Sequence, residues 1–294
     1  MRPELITDPK SLEYLIGFTG SHGFMVLGKK NLFFTDFRYR GIAKELERNK
    51  TRLPFKFMEL DEKTIEHIQK NLGKKELAFE ANHLTVAALN SWKKKLKGTR
   101  LVPGKNSVEE MRLFKDKNEI ALLKKSQKIN EETLYRTKKL FKKGVTELEL
   151  AWKIKTIGHD LGAEDISFEP IVAFGPHSAI PHHHNTNTKL KSGDTLLVDM
   201  GMKYKGYCSD MTRTFFFGKP SAEQRKIYEL VLAAQEAGIK KIKAGIAAKK
   251  VDEAARKALG KYEKYFKHSL GHGIGLEVHE MPSLSGRSKE ILKE

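Results

Sequence analysis

The sequence predicts two domains. An α/β domain spans residues 1–106, and a second domain spans residues 107–294, where strands and helices fall into separate blocks. Three observations carry this. At 294 residues and 33.5 kDa the chain is about twice the usual size of one compact domain. In the first hundred residues, short apolar runs alternate with helical patterns, the sign of an α/β layer arrangement. Over residues 167–217 the character changes to strands, turns, prolines and histidines.

In order, Phe24 to Leu27 and Asn31 to Thr35 flank the turn Gly28-Lys29-Lys30 and read as a hairpin. Residues 39–48 and 62–72 have helical spacing, with a strand over 54–60 between them. A strand over 76–80, a helix over 85–96 and a strand over 99–102 follow, and Pro103-Gly104 punctuates the end of the domain. Residues 107–143 are helical and highly charged, with Met111, Phe114, Ile120, Leu123 and Ile129 as the apolar positions. A further helix over 146–161 is stopped by Gly162. After the strand-rich block, residues 222–244 and 248–260 return to helix, and residues 265–285 are rich in Gly and His.

Composition excludes several classes. Hydrophobic residues at 39% suffice for a sizeable core. No apolar stretch approaches the ~18–20 residues of a membrane span. The N-terminus carries acidic residues and Pro3 before any apolar run, unlike a signal peptide. One cysteine, Cys208, excludes an intrachain disulfide framework and a CxxC centre, and a cytoplasmic setting is expected. The net charge of +18 points by itself toward nucleic acid. However, lysine supplies most of the excess, in groups such as Lys93-Lys94-Lys95 and Lys240-Lys241, with no cluster of Arg and aromatics. Solvated helix faces are therefore expected, not a nucleic-acid surface.

Two familiar signals fail on context. Gly23 to Lys30 nearly spells a phosphate loop, but it lacks the final Ser/Thr and its middle is an apolar strand. Gly271-His-Gly273-Ile-Gly275 has no surrounding βαβ unit, so it is no dinucleotide fingerprint.

The remaining chemistry lies in carboxylates and histidines of the second domain. Asp194 to Met202 and Tyr207 to Phe215 flank a polar turn and read as a hairpin. With Tyr204-Lys205 as the two-residue loop, Asp199 stands directly opposite Asp210, with Cβ atoms ~5 Å apart. Like charges at that distance are unfavourable without a cation between them. The alternative makes Asp199 a turn residue before Gly201 and Asp210 the cap of a bend. Six histidines fall in two groups, His182, His183 and His184, then His268, His272 and His279. Gly271, Gly273 and Gly275 around His272 suggest backbone drawn close to an ion or substrate. Oxygen ligands with one imidazole suit a divalent ion such as Mn(II), Co(II) or Zn(II).

These segments resemble the Xaa-Pro peptidases, prolidase and aminopeptidase P, metallopeptidases with a pita-bread catalytic fold. The resemblance rests on Phe174 through His182, Asp199-Met-Gly through Asp210-Met-Thr-Arg-Thr, and His268 through Pro282, with Tyr14 to Ser21 and Thr35 to Tyr39 matching the family's amino-terminal domain. It covers essentially the whole chain. It implies a creatinase/prolidase-type α/β domain over 1–106 and an α+β pita-bread domain over 107–294. It makes Asp199, Asp210 and His272 ligands of two divalent ions, Mn2+ in preference to Co2+ or Zn2+. By the same resemblance His182 and His279 contact substrate or move protons, and His268 supports them. His183 and His184 match no such position and read as loop residues.

The family completes its site with two glutamates in later strands, which Glu280, Glu290 and Glu294 do not match, so the expectation is a chain incomplete at its C-terminus. The implied activity is metal-dependent hydrolysis of the bond before proline in a peptide substrate, by a homodimer, with no membrane or nucleic-acid partner. Methionine aminopeptidase lacks the domain in front, and creatinase works without metal. A non-catalytic binding protein on the same fold, touching nucleic acid through its lysines, or an inactive fragment, is the rival of another class.

Overall fold

The computed structural model describes residues 2–72, 76–105 and 107–294, and the chain divides into two units, Met1–Arg112 and Leu113–Glu294. The first holds a six-stranded sheet of β1 (Glu4–Ile6), β2 (Gly23–Leu27), β3 (Leu32–Thr35), β4 (Lys56–Glu59), β5 (Glu76–Phe79) and β6 (Arg100–Pro103). Their order is β4-β3-β2-β1-β5-β6. The β2–β3 hairpin is antiparallel as expected, and β3–β4 and β5–β6 are parallel. The helices are α1 (Pro9–Ile16), α2 (Arg40–Arg48), α3 (Thr64–Leu72), α4 (Val86–Lys95) and α5 (Ser107–Arg112).

Two elements escaped the sequence reading, β1 and α1. Strand β1 is only three residues long, too short to show alternation, yet all three are buried between β2 and β5. Asp8 caps α1 by accepting from the Ser11 amide at 2.8 Å, and Pro9 opens its first turn. Leu5, Val26, Phe34, Ile68, Leu72 and Leu77 form the core on one side of this sheet.

The expected helix over 107–143 is two helices. α5 belongs to the first unit, where the Ser107 hydroxyl donates to Glu4 at 2.6 Å and the Tyr14 hydroxyl to the Met111 carbonyl at 3.2 Å. The division therefore falls after Arg112, not at residue 106. Asp116 then starts α6 (Lys117–Lys138) through a reciprocal capping box with Glu119.

In the second unit α6 is followed by α7 (Glu147–Asp160), which Thr146 and Glu149 cap in the same reciprocal way. The strands are β7 (Asp165–Ile166), β8 (Ile171–Phe174), β9 (Thr195–Met200), β10 (Met202–Tyr204), β11 (Tyr207–Cys208) and β12 (Met211–Phe216). They form two sheets, β12-β9-β8 and β11-β10-β7. Helices α8 (Ala222–Lys241) and α9 (Ala248–Leu259) pack on each other, and the hairpin β13 (Gly271–Gly273) with β14 (Glu280–Leu284) follows. Alternation along β9 sends Leu196, Val198 and Met200 into a core with Ile129, Leu150, Ile154 and Phe174. Asp199 therefore lies on the other face.

Candidate metal centre

The two sheets share one kinked ribbon. β9 passes into β10 at Gly201, and β11 passes into β12 at Ser209-Asp210. At the kink side chains add to the backbone pairing, in which the Ser209 amide donates to the Met202 carbonyl at 2.8 Å. The Ser126 and Ser167 hydroxyls both donate to the Met202 carbonyl at 2.7 Å, and the Asn130 amide donates to the Met200 carbonyl at 3.0 Å. Gly201 is required here, because a Cβ would run into the Ser209 carbonyl oxygen.

The hairpin turn corrects one expectation. Its central residues are Lys205 and Gly206, with φ of 48° and 80°, and not Tyr204-Lys205. Positive φ at both positions is the two-residue turn whose twist matches paired strands, and Gly206 meets that demand without strain. The ladder moves accordingly. Tyr204 pairs with Tyr207, and Asp199 pairs with Thr212, not with Asp210. A shift of two positions keeps every side chain on its face, so Asp199 and Asp210 remain on one face as diagonal neighbours.

The Thr212 hydroxyl donates to Asp199 Oδ1 at 2.7 Å. Burial pushes the Asp199 carboxyl above its usual range, against that hydrogen bond, and the Asp210 charge pushes the same way. Positive charge on His182 and His272 would draw it down, which places both imidazoles in its field. His272 Nε2 lies 3.4 Å from Asp210 Oδ2, and its Nδ1 contacts the Gly273 carbonyl at 3.0 Å. The Asp210 hydrogen bond holds the His272 imidazolium above the ordinary histidine range, against the effect of burial. The His279 ring lies 4.3 Å from the His272 ring, centroid to centroid.

The chain's own hydrogen bonds deliver His272 here. The Cys208 amide donates to the Gly275 carbonyl at 2.8 Å, tying the Gly-rich segment to β11 two residues from Asp210. A bulge between His272 and Gly273 interrupts the pairing with β14. Gly273 and Gly275 let that neighbouring segment come close. A Cβ on Gly273 would strike the Met281 carbonyl, and one on Gly275 the Glu280 carboxylate. Glu280 itself pairs with Lys115 at 3.0 Å.

Four of the expected site residues, Asp199, Asp210, His182 and His272, are thus linked by contact or field, and His279 adjoins them through His272. His268 has other partners: its ring packs on Phe266 at 4.5 Å and its Nδ1 contacts the Ser269 carbonyl at 2.8 Å.

A second cluster was missed by sequence reasoning. Glu147, His177 and His183 bring potential metal-ligand atoms within 4.8 Å of one another. His183 lies in the loop as expected but is buried, whereas His184 is exposed. The geometry is that of hydrogen bonds. His177 Nδ1 and His183 Nε2 each sit 2.8 Å from a Glu147 oxygen, and both carboxylate oxygens take further donors. A ring nitrogen that donates has no lone pair for a metal. The Glu147 carboxyl is pushed up by burial but pulled down further by His183, the Phe174 amide, His177 and Thr186, to about 2.

The Asp199–Asp210–His272 donors fit a divalent ion. Two carboxylates held on one partly buried face, with an imidazole against one of them, lack a charge partner of their own strength. Residues 121–294 match the model of metallopeptidase family M24, and residues 4–114 match the creatinase/prolidase N-terminal domain. The chain belongs to metallopeptidase family M24. It is accordingly a hydrolase with an N-terminal creatinase-like domain and a pita-bread catalytic domain, and the family implies divalent metal ions.

An uncharacterized peptidase of Bacillus subtilis, YqhT, is 38% identical over 98% of this M24 chain and 82% of its own length. The solved Xaa-Pro dipeptidase from Bacillus anthracis superimposes with a TM-score of 0.93 at 34% identity, covering 99% of this chain and 82% of that one. An X-Pro aminopeptidase from Thermotoga maritima gives 0.87 at 32% identity, covering 99% and 85%. Among the described residues no helix is long and apolar enough to cross a membrane.

Proposed function

We propose that this M24 protein hydrolyses the peptide bond before proline, as an Xaa-Pro dipeptidase or an Xaa-Pro aminopeptidase. In this reading Asp199, Asp210 and His272 hold two divalent ions, Mn2+ in preference to Co2+ or Zn2+. The observation that carries it is the His272–Asp210 contact beside Asp199, whose carboxyl is pushed above its usual range by burial and by its like-charged neighbour. The names of the solved relatives support the choice of bond.

A bound divalent ion supplies Lewis acidity, which polarises the scissile carbonyl and makes water a usable nucleophile near neutral pH. The chain's residues do the rest. Asp199 and Asp210 present oxygen donors from one face of the ribbon, and Thr212 fixes the rotamer of Asp199. His182 and His279 donate hydrogen bonds to negative charge developing on the carbonyl oxygen. His268 acts in support, through the segment that carries His272. The proline nitrogen has no N–H and its ring fixes φ, so a pocket shaped for the ring sets specificity. A homodimer in a reducing, cytoplasmic setting completes the reading, and buried Cys208 is compatible with that setting.

Calorimetric titration with Mn2+ tests the ligand assignment, and assays on a Xaa-Pro dipeptide and a Xaa-Pro-Xaa tripeptide test the bond. Asp210→Asn should weaken Mn2+ binding by at least about tenfold, as removal of metal-supporting groups does. Binding by Asp210→Asn as tight as by the parent protein would exclude this site. Turnover of the tripeptide alone would select the aminopeptidase.

A further inference from the structure

Between β8 and β9 the chain runs through residues 175–194, and exposed His182 sits in its middle. A connection of this length without a regular strand or α-helix usually carries function, and it needs an anchor to hold one geometry. The anchor is Glu147, the first residue of α7, with its side chain fully buried. Its Oε1 accepts from the Phe174 amide at 2.9 Å and from His177 Nδ1 at 2.8 Å. Its Oε2 accepts from His183 Nε2 at 2.8 Å, and from the Thr186 amide at 2.9 Å and hydroxyl at 2.8 Å. The donors come from the end of β8, from the 3₁₀ turn Gly175–Ala179 and from the loop beyond it. The two rings also lie 4.3 Å apart between centroids, tilted by 33°, and the His183 amide closes a turn on the Ile180 carbonyl at 3.2 Å.

We propose that Glu147, acting through His177 and His183, is a positioning residue that fixes the loop carrying His182. The importance of His182 for turnover rests on the function proposed above; its placement does not. A buried carboxylate is costly unless donors satisfy it, and here five do. What this carboxylate adds is direction. Five donors from three parts of one loop converge on two oxygens, and His183 is joined to His182 by a single peptide bond. The His182 backbone is thereby fixed on both sides while its side chain stays exposed.

The test compares His183→Gln, which keeps a donor near the position of Nε2, with His183→Leu, which has none. In 13C-histidine-labelled protein, the His182 Cε1–H resonance, assigned with His182→Gln, reports the placement of the ring. His183→Leu should shift or broaden this resonance while leaving the Mn2+ isotherm unchanged, and His183→Gln should restore it. With a Xaa-Pro dipeptide, His183→Leu should lower kcat by about 100-fold with KM within about threefold, as a misplacement of about 1 Å does, and His183→Gln should recover most of the loss. An unchanged His182 resonance in folded His183→Leu would overturn the proposal, as would failure of His183→Gln to restore it. If His183→Leu does not fold, His183→Asn, whose shorter amide does not reach Glu147, replaces it with the same expectations. Absence of Xaa-Pro turnover in the parent protein would defeat the proposed activity, while the resonance comparison still decides the positioning role.

Discussion

Glu147→Gln should destabilise the second unit at neutral pH, and most of the difference from the parent protein should disappear in acid. The perturbation is nearly isosteric, so packing is preserved and the charge is what changes. In the folded protein the Glu147 carboxyl titrates at about 2, against an ordinary value of 4.5. Burial alone would raise it. Hydrogen bonds from His183, the Phe174 amide, His177 and Thr186 outweigh burial because all of them favour the ionised form. At about 1.4 kcal/mol for each pH unit, the depression contributes about 3 kcal/mol of stability. A depressed folded value makes that contribution fully present above about pH 4.5, with progressive loss as pH falls toward about 2. Glutamine has no proton to gain there, and its amide NH2 also faces donors, which adds about 1–3 kcal/mol for a donor left unpaired.

The assay is urea denaturation followed by far-ultraviolet circular dichroism, on both proteins, at intervals from pH 7 to pH 2.5. Carboxyls elsewhere titrate in both proteins and cancel in the difference. The difference in unfolding free energy should be about 4 kcal/mol at pH 7 and should shrink by about 3 kcal/mol across the acid range. A difference that stays constant below pH 5 would refute the hydrogen-bonding account. A chelator that lowers parent stability at pH 7 but leaves Glu147→Gln unaffected would refute it differently, by making Glu147, His177 and His183 a metal site.

Two further outcomes follow from the kinked ribbon. Gly201→Ala sets a Cβ against the Ser209 carbonyl, Phe168 and Ser167, so thermal melting should show a loss of about 3 kcal/mol, the upper end of core overpacking, and Mn2+ titration should show weaker binding because Asp199 and Asp210 flank the displaced backbone. Lys205→Asn places a residue tolerant of positive φ where Lys205 now has φ of 48°, and should raise stability by about 0.5–1 kcal/mol in the same melts without altering Mn2+ binding.

Much of this was legible from local pattern. The β2–β3 hairpin, the helices ending at Arg48, Leu72 and Asp160, and the clustering of Asp199, Asp210 and His272 all announce themselves in residue type and spacing. What was missed depends on partners distant in sequence. β1 is recognisable only because β2 and β5 flank it. The Thr146–Glu149 capping box is visible in the sequence, but nothing in it shows that Glu147, between them, is fully buried or that His183 comes from 36 positions away to meet it. A run of three histidines hides the one that points inward.

The Asp199–Asp210 pair shows why some misreadings leave function intact. Placing the turn on Tyr204-Lys205 puts the aspartates directly opposite, whereas the φ preferences of the turn select Lys205-Gly206 and slide the partner strand by two positions. Side chains on a strand alternate with period two, so a slide of two changes which residues are adjacent without changing which face they occupy. Thr212 takes the place opposite Asp199 and uses it to fix the carboxylate, while Asp210, set in the break between β11 and β12, turns to His272. A slide of one would have sent Asp210 to the core face among Val198 and Met200, and no cation could have joined the two. Convergence of the carboxylates is therefore demanded by strand parity, and their exact spacing by a single glycine in the turn.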